Sequence, residues 1–250
     1  MIATILDEIY KQKEVMAPDG TRRAAFPASL PLQDGQALYE AVLGTNSTQT
    51  LEIGMAYGAS TLFMLKAVTE NGGGAHVAID PYQDKWWEGI GRSNVMRAEC
   101  ADMVRLLEQP SHLALPRLLS ENARFDFIFI DGNHRFEFTL VDFFFADRLL
   151  KVGGHIMLHD AWLPSIRKVL SFICRDMGEQ YTVSADYNGN KQAGVSFWHC
   201  FLKTLHTAPF DLLSAYFFSQ RDFNRHCILE KVAECDDERR DADWTYYRPF

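Results

Sequence analysis

TLEIGMAYGAS, residues 50–60, is the stretch that decides the fold. An apolar run is interrupted by Glu52, and two glycines sit four residues apart at Gly54 and Gly58. From Ser60 and Thr61 a helical pattern opens (TLFMLKAVTE). Strand, tight glycine turn and helix is the layout of a nucleotide-type pocket in an α/β sheet. Glycine turns the chain sharply and lets a ligand approach the main chain, because no Cβ is in the way. A dinucleotide loop G-x-G-x-x-G begun at Gly54 needs glycine at 56 and 59, where the chain has Ala56 and Ala59. That disfavours a nicotinamide oxidoreductase. Taken alone, the stretch also fits a strand-turn-helix with packing glycines.

Working outward, 49–53 reads as a strand and 59–70 as a helix stopped by Asn71-Gly72-Gly73-Gly74. AHVAID (75–80) is a second strand ending in Asp80. An acid there suits a ribose, whose two hydroxyls can both donate to one carboxylate. Residues 82–98 form a loop with Trp86 and Trp87, which either border a substrate mouth or anchor packing, followed by a helix over 93–108. SHLALPRLL (111–119) is irregular, then partly helical. In FDFIFIDGNH (125–134) the unbroken apolar run predicts a strand buried on both faces, stopping at Asp131-Gly132. A helix over 135–150 closes at Lys151-Val152-Gly153-Gly154, and HIMLHD (155–160) is a strand ending in His159-Asp160. A helix spans 164–176. YTVSAD (181–186) and AGVSFWH (193–199) read as a hairpin around a turn at 187–190.

Upstream, Ile2, Ile5, Leu6 and Ile9 share one face of a helix over 2–16, ended by Pro18-Asp19-Gly20. A second helix runs from about Asp34, its cap, to Leu43. In residues 205–250, Phe210, Leu213, Tyr216 and Phe217 fall on one face of an added helical piece. The alternation of elements predicts an α/β protein. Its sheet is seven-stranded and mostly parallel with an antiparallel edge, with helices on both faces and extra N- and C-terminal helices. The chain divides into an N-terminal helical part (1–45), a nucleotide-type domain (46–204) and a C-terminal helical extension packed on that domain (205–250). The first part is a cover over the site, a subunit contact or a plain packing layer.

The 250 residues are 47% hydrophobic and 23% charged, ordinary for a soluble globular domain. A net charge of −8 and a pI near 5.5 disfavour nucleic acid as a partner. No apolar run has the length of a membrane span, and MIATILDEIY lacks the features of a signal peptide. Five widely spaced cysteines without a CxxC read as thiols of a reducing cytoplasm. The aromatic terminal pieces point to a homodimer.

LEIGMAYGAST, AIDPYQ, FDFIFIDGNH and LLKVGGHIMLHDAW together resemble, in order and spacing, the class I S-adenosylmethionine (SAM) dependent O-methyltransferases, which have a Rossmann-like fold. Within these they are most similar to the small-molecule branch that includes macrolide-sugar and aminocoumarin O-methyltransferases. The resemblance spans about residues 30–200. It implies that Glu52, Gly54 and Gly58 hold SAM, with Ser60 near its carboxylate and Asp80 on its ribose. It places Asp131 at the family's metal ligand, and His159 and Asp160 where metal-dependent relatives carry an acidic pair. Two residues after the first ligand, where aminocoumarin-type relatives carry an acid proposed as the base, this chain has Asn133, which cannot take a proton.

The residues themselves point to the same place. Neighbouring parallel strands lie about 4.8 Å apart, so the strand ends bring Asp131, His159 and Asp160 together. Two carboxylates and an imidazole can hold a divalent metal. Mg²⁺ prefers oxygen, and the histidine shifts preference toward Mn²⁺, Fe²⁺ or Zn²⁺. His134, one turn beyond Asp131, is the other nitrogen available. His134, His159 and Asp131 are the catalytic candidates. His159 serves as ligand, general base or structural group, and Asp131 is alternatively a helix cap. His76, His155 and His199 read as core or edge histidines. The expected reaction moves a methyl group from SAM to an oxygen of a small-molecule acceptor. The alternatives are a SAM-binding protein without catalysis, or a methyltransferase acting on a nitrogen or a macromolecule.

Overall fold

The structure is a computed structural model, and it describes residues 1–184 and 226–234. A seven-stranded sheet runs through it in the order β5 (Val104–Leu107), β4 (Ala75–Ile79), β3 (Gln49–Ile53), β6 (Phe125–Ile130), β7 (Leu150–His159), β9 (His226–Lys231) and β8 (Tyr181–Ser184). All are parallel except β9, which runs antiparallel to both of its neighbours. The helices that connect them are α3 (Ala59–Glu70), α4 (Ile90–Arg97), α5 (Ser111–Ser120), α6 (Phe136–Leu149) and α7 (Pro164–Asp176).

β6 shows why the sheet is stable. Phe127 and Phe129 point into a core shared with α3 and the N-terminal elements, while Ile128 and Ile130 point into the core beneath α5, α6 and α7. All four are buried on alternating faces, the period of a strand covered on both sides. Each such side chain is worth about 1.5–3 kcal/mol of apolar burial. No helix among the described residues is long and apolar enough to cross a membrane.

Several elements differ from the sequence reading. The expected helix over 2–16 is α1 (Ile2–Asp7), a π-helical turn (Glu8–Gln12) and β1 (Glu14–Met16). Lys13 leaves the helix in a left-handed conformation. Pro18-Asp19-Gly20 therefore belongs to a hairpin joining β1 to β2 (Arg22–Ala24). The helix expected over 93–108 ends at Arg97, and its second half is a short 3-10 turn and then β5. β7 already begins at Leu150, so Gly153 and Gly154 lie inside a strand rather than in a helix stop. The stretch read as a C-terminal helical extension contains β9, a strand of the main sheet, and β9 is also the partner of β8. The proposed hairpin strand 193–199 and the helical face with Phe210 and Tyr216 lie outside the described residues, as does His199.

The helix expected from Asp34 is α2 (Leu32–Gly44), with Pro31 at its N-cap. Asp34 is thus inside the first turn, 4% exposed, and is not the cap. Gly35 beside it lets α2 settle on α3, since a Cβ there would meet the Phe63 ring at 2.1 Å.

Candidate active site

The register of four parallel strands builds the site. Ile79, Ile53, Ile130 and Leu158 stand side by side across β4, β3, β6 and β7. The next residue of each strand is Asp80, Gly54, Asp131 and His159. These four therefore form a row along the carboxyl edge of the sheet. The connections of β3 and β6 leave in opposite directions, so the row crosses the switch point where α/β sheets bind ligands.

Gly54 donates its N–H to Ile79 O at 2.9 Å, and Asp131 donates its own to Ile53 O at 2.9 Å. Gly54 has φ +97°, and a Cβ would lie 2.2 Å from the Asp131 carbonyl oxygen. The close approach that demands glycine here is between two protein segments. Gly58 caps α3 at φ +80° and faces the backbone of Gly91, away from the cavity. Glu52 is also away from the cavity and fully buried. It accepts hydrogen bonds from Ser60 Oγ at 2.8 Å and from Thr61 Oγ1, with His76 Nε2 at 3.2 Å. Glu52 thus ties the start of α3 to β3. Ser60 does line the cavity.

Asp80 lines the cavity while its carboxylate accepts three backbone N–H groups, from Met55 (3.1 Å), Ala56 (2.7 Å) and Tyr82 (2.8 Å). It holds the glycine loop shut on itself. A carboxylate has about four acceptor positions, so capacity for a donor from a ligand remains.

Asp131, His134, His159 and Asp160 converge where β6 and β7 end, with one ligating atom from each within 4.8 Å of all the others. His159 is 7% exposed. Its Nδ1 lies 3.0 Å from Asp131 Oδ1, and its Nε2 lies 3.1 Å from Asp34 Oδ2. His134 Nε2 is 3.1 Å from Asp160 Oδ2 and 3.3 Å from Asp131 Oδ1, yet it is buried and aligned for a hydrogen bond with neither. Asp160 sits in the left-handed region at φ 50°, held by the Trp162 indole N–H donating to Oδ1 at 2.8 Å. Such strain is characteristic of functional sites.

The charges explain the proton affinities. The neighbouring carboxylates of Asp131 and then Asp160 outweigh burial and raise His134 to about 9. Burial pulls His159 down, but Asp131 and Asp34 outweigh it and raise it to about 10. Burial pushes the Asp131 carboxyl up, but the two histidines outweigh it and hold it below its ordinary value. His134 leads in lowering Asp160. Two imidazolium protons or one divalent cation offset the same two of the three carboxylate charges. The orphaned His134 Nε2, beside two carboxylates and a second imidazole, suits such a cation, and the mixed nitrogen and oxygen donors favour Mn²⁺, Fe²⁺ or Zn²⁺ over Mg²⁺. Asp131 faces the histidines rather than capping α6. Asn133 Oδ1 accepts from Arg135 N at the start of that helix.

A cavity of about 800 Å³ joins this cluster to the glycine loop. Tyr82, Trp86, Trp87 and Trp162 stand along its wall. Tyr82 and Trp86 stack at 3.7 Å, and Trp86 and Trp162 are each more than half exposed. Residues 27–31 and Asp34 supply another wall, so the N-terminal part lines the cavity. Sequence reasoning missed Asp34. Its only signal is an acid on a helix that is otherwise apolar on its inner face.

Sheet order and crevice define the fold: it is the Rossmann-like fold of class I methyltransferases. More particularly, residues 51–161 match the family described as "Methyltransferase domain". Curated protein sequences give no match. Among solved structures, an O-methyltransferase from Bacillus cereus in complex with SAH is similar, with a TM-score of 0.60 and 21% identity over 72% of this chain and 82% of that one. So is the O-methyltransferase TomG from Streptomyces achromogenes, involved in tomaymycin synthesis and in complex with SAM, at TM-score 0.55 and 18% identity over 73% and 80%. At these identities the likeness is one of fold.

Proposed function

We propose that the chain moves the methyl group of SAM to an oxygen of a small hydroxylated molecule, assisted by a divalent cation. The observation that carries this reading is the convergence of Asp131, His134, His159 and Asp160 on one point of a cavity that also contains the glycine loop and Asp80. SAM supplies a methyl on a sulfonium, which an in-line oxygen takes as the sulfur–carbon bond breaks. Asp131, Asp160 and His159 would hold the cation, which would supply a Lewis acid that lowers the pKa of an acceptor hydroxyl.

The chain's own residues do the rest. Asp80 keeps the loop at Met55 and Ala56 in shape and offers its remaining acceptor capacity to the ribose. Trp86, Trp87 and Trp162 border the acceptor and exclude water. His134, the more exposed of the two histidines, accepts the hydroxyl proton. It does so once the carboxylates of Asp131 and Asp160 are engaged elsewhere and no longer hold its proton. His159 stays locked between Asp131 and Asp34. The acidic net charge favours a small acceptor over nucleic acid.

The experiment is transfer of labelled methyl from SAM to a panel of phenols and sugars, before and after chelation. Turnover lost on chelation and restored by Mn²⁺ supports the whole reading. Full turnover after chelation removes the cation from it. SAM that raises the melting temperature without any transfer points to a binding protein.

A further inference from the structure

We propose that Asp34 is a positioning residue for the cation site: it fixes the His159 ring so that Nε2 carries the proton and Nδ1 presents its lone pair to the point shared by Asp131, Asp160 and His134. The inference rests on the cation-assisted reading above and assigns a role to a residue outside every motif of the methyltransferase domain.

The geometry carries it. Asp34 Oδ2 is 3.1 Å from Nε2, on the side of the ring facing away from the cluster. On the other side, Nδ1 faces Asp131 Oδ1 at 3.0 Å and Asp160 Oδ2 at 3.7 Å. A ligating histidine almost always donates its second N–H to a carboxylate, carbonyl or water, and that partner sets tautomer, ring angle and basicity. Asp34 occupies the place of that partner. Pro31, not Asp34, is the N-cap residue of α2. A buried carboxylate is costly unless paired, and a group placed in the helix only for solubility would face water. Here α2 brings it in, and Gly35 permits the close packing of α2 on α3 that sets its depth. The N-terminal part thereby becomes a component of the site rather than a wrapper around it.

The test compares metal-free wild type, Asp34→Asn and His159→Ala by calorimetric titration with Mn²⁺, together with the visible spectrum of each protein loaded with Co²⁺. The expected result is Mn²⁺ affinity reduced about 10–100-fold in Asp34→Asn. Its Co²⁺ bands should shift, while S-adenosylhomocysteine affinity stays at the wild-type value. Asp34→Asn binding Mn²⁺ as tightly as wild type, with the same Co²⁺ spectrum, overturns the inference and leaves the methyltransferase reading intact. Wild type binding no divalent ion overturns both this inference and cation assistance. Failure to bind S-adenosylhomocysteine is a separate readout and sinks the proposed function itself. A measurement on wild type alone covers the case where Asp34→Asn does not fold. In ¹⁵N-histidine spectra of the Zn²⁺-loaded protein, His159 should show a protonated Nε2 and a metal-shifted Nδ1. A protonated Nδ1 overturns the inference.

Discussion

Asp34 and His159 are 125 residues apart in sequence, and their side chains meet at 3.1 Å, both almost fully buried. One comes from the first turn of an N-terminal helix and the other from the last residue of a central strand. Their contact ties the segment before residue 51 to the side-chain cluster where β6 and β7 end.

Gly54→Ala should prevent folding or cost about 2–5 kcal/mol, the sum of core overpacking at about 1–3 kcal/mol and the left-handed backbone penalty of about 1–2 kcal/mol. The added Cβ meets the Asp131 carbonyl, which belongs to a packed loop and has nowhere to go. Gly20→Ala is the control. It has a similar φ of +84°, but nothing lies within 4 Å, so only the backbone penalty applies. Urea denaturation of the two variants checks this, and equal losses would show that space at Gly54 is not the cause.

Asp80→Ala should reduce stability as well as S-adenosylhomocysteine affinity. Three backbone N–H groups lose their acceptor, each at about 1–3 kcal/mol if left unpaired in the interior. Asp80→Asn, which keeps one oxygen acceptor, should lose less of both. Calorimetry on folded Asp80→Ala that returns wild-type affinity would remove Asp80 from the cofactor site.

Asp142, on the inner face of α6, gives a pH signature distinct from that of His134 and His159. Burial pushes its carboxyl up to about 6, with Ser111 and His112 offsetting part of the effect. It is 1% exposed, and Oδ1 has no hydrogen-bond partner. In the unfolded chain the group titrates near its ordinary value of about 3.9. Between those values the folded protein holds the extra proton, so stability from this group is full below about pH 4 and falls as pH rises to about 6. Asp142→Asn should abolish that slope and gain roughly 2–3 kcal/mol above pH 6. Identical pH dependence in the two proteins, measured by urea denaturation from pH 4 to 8, would contradict it.

Trp162→Phe removes the N–H that holds Asp160 Oδ1 and alters the wall of the mouth. The KM for the acceptor should rise about tenfold, the equivalent of 1.4 kcal/mol, with the KM for SAM unchanged. Steady-state kinetics with each substrate varied in turn decides it. Equal changes in both would place Trp162 outside the acceptor region.

What the sequence made legible follows from how each signal is generated. β3, β4 and β6 announce themselves because strands covered on both faces are predominantly apolar, and Asp80 and Asp131 stand out as the acids that follow β4 and β6. β5 did not, because MVRLLEQ continues the helical pattern of α4 and the residue that breaks the helix is Glu99, a non-glycine at φ 57°. β9 was hidden because an antiparallel strand arriving from far along the chain has no neighbouring βαβ rhythm to mark it. The cluster of Asp131, His159 and Asp160 could be inferred from strand adjacency alone, and the structure brings these residues together with His134. Asp34 could not. A lone acid near a helix start reads as a cap, and only the packing of α2 shows that it points inward.

β9 pairs along the outer edge of β7, from His155 to His159. During synthesis β7 is therefore complete long before its partner exists. At roughly 5–20 residues per second, Ile156, Met157 and Leu158 wait several seconds on the ribosome as an open apolar edge. Such an edge is a template for pairing with a neighbouring nascent chain. A stop codon before residue 226 would make that exposure permanent, turning the strand that carries His159 into the seed of an aggregate.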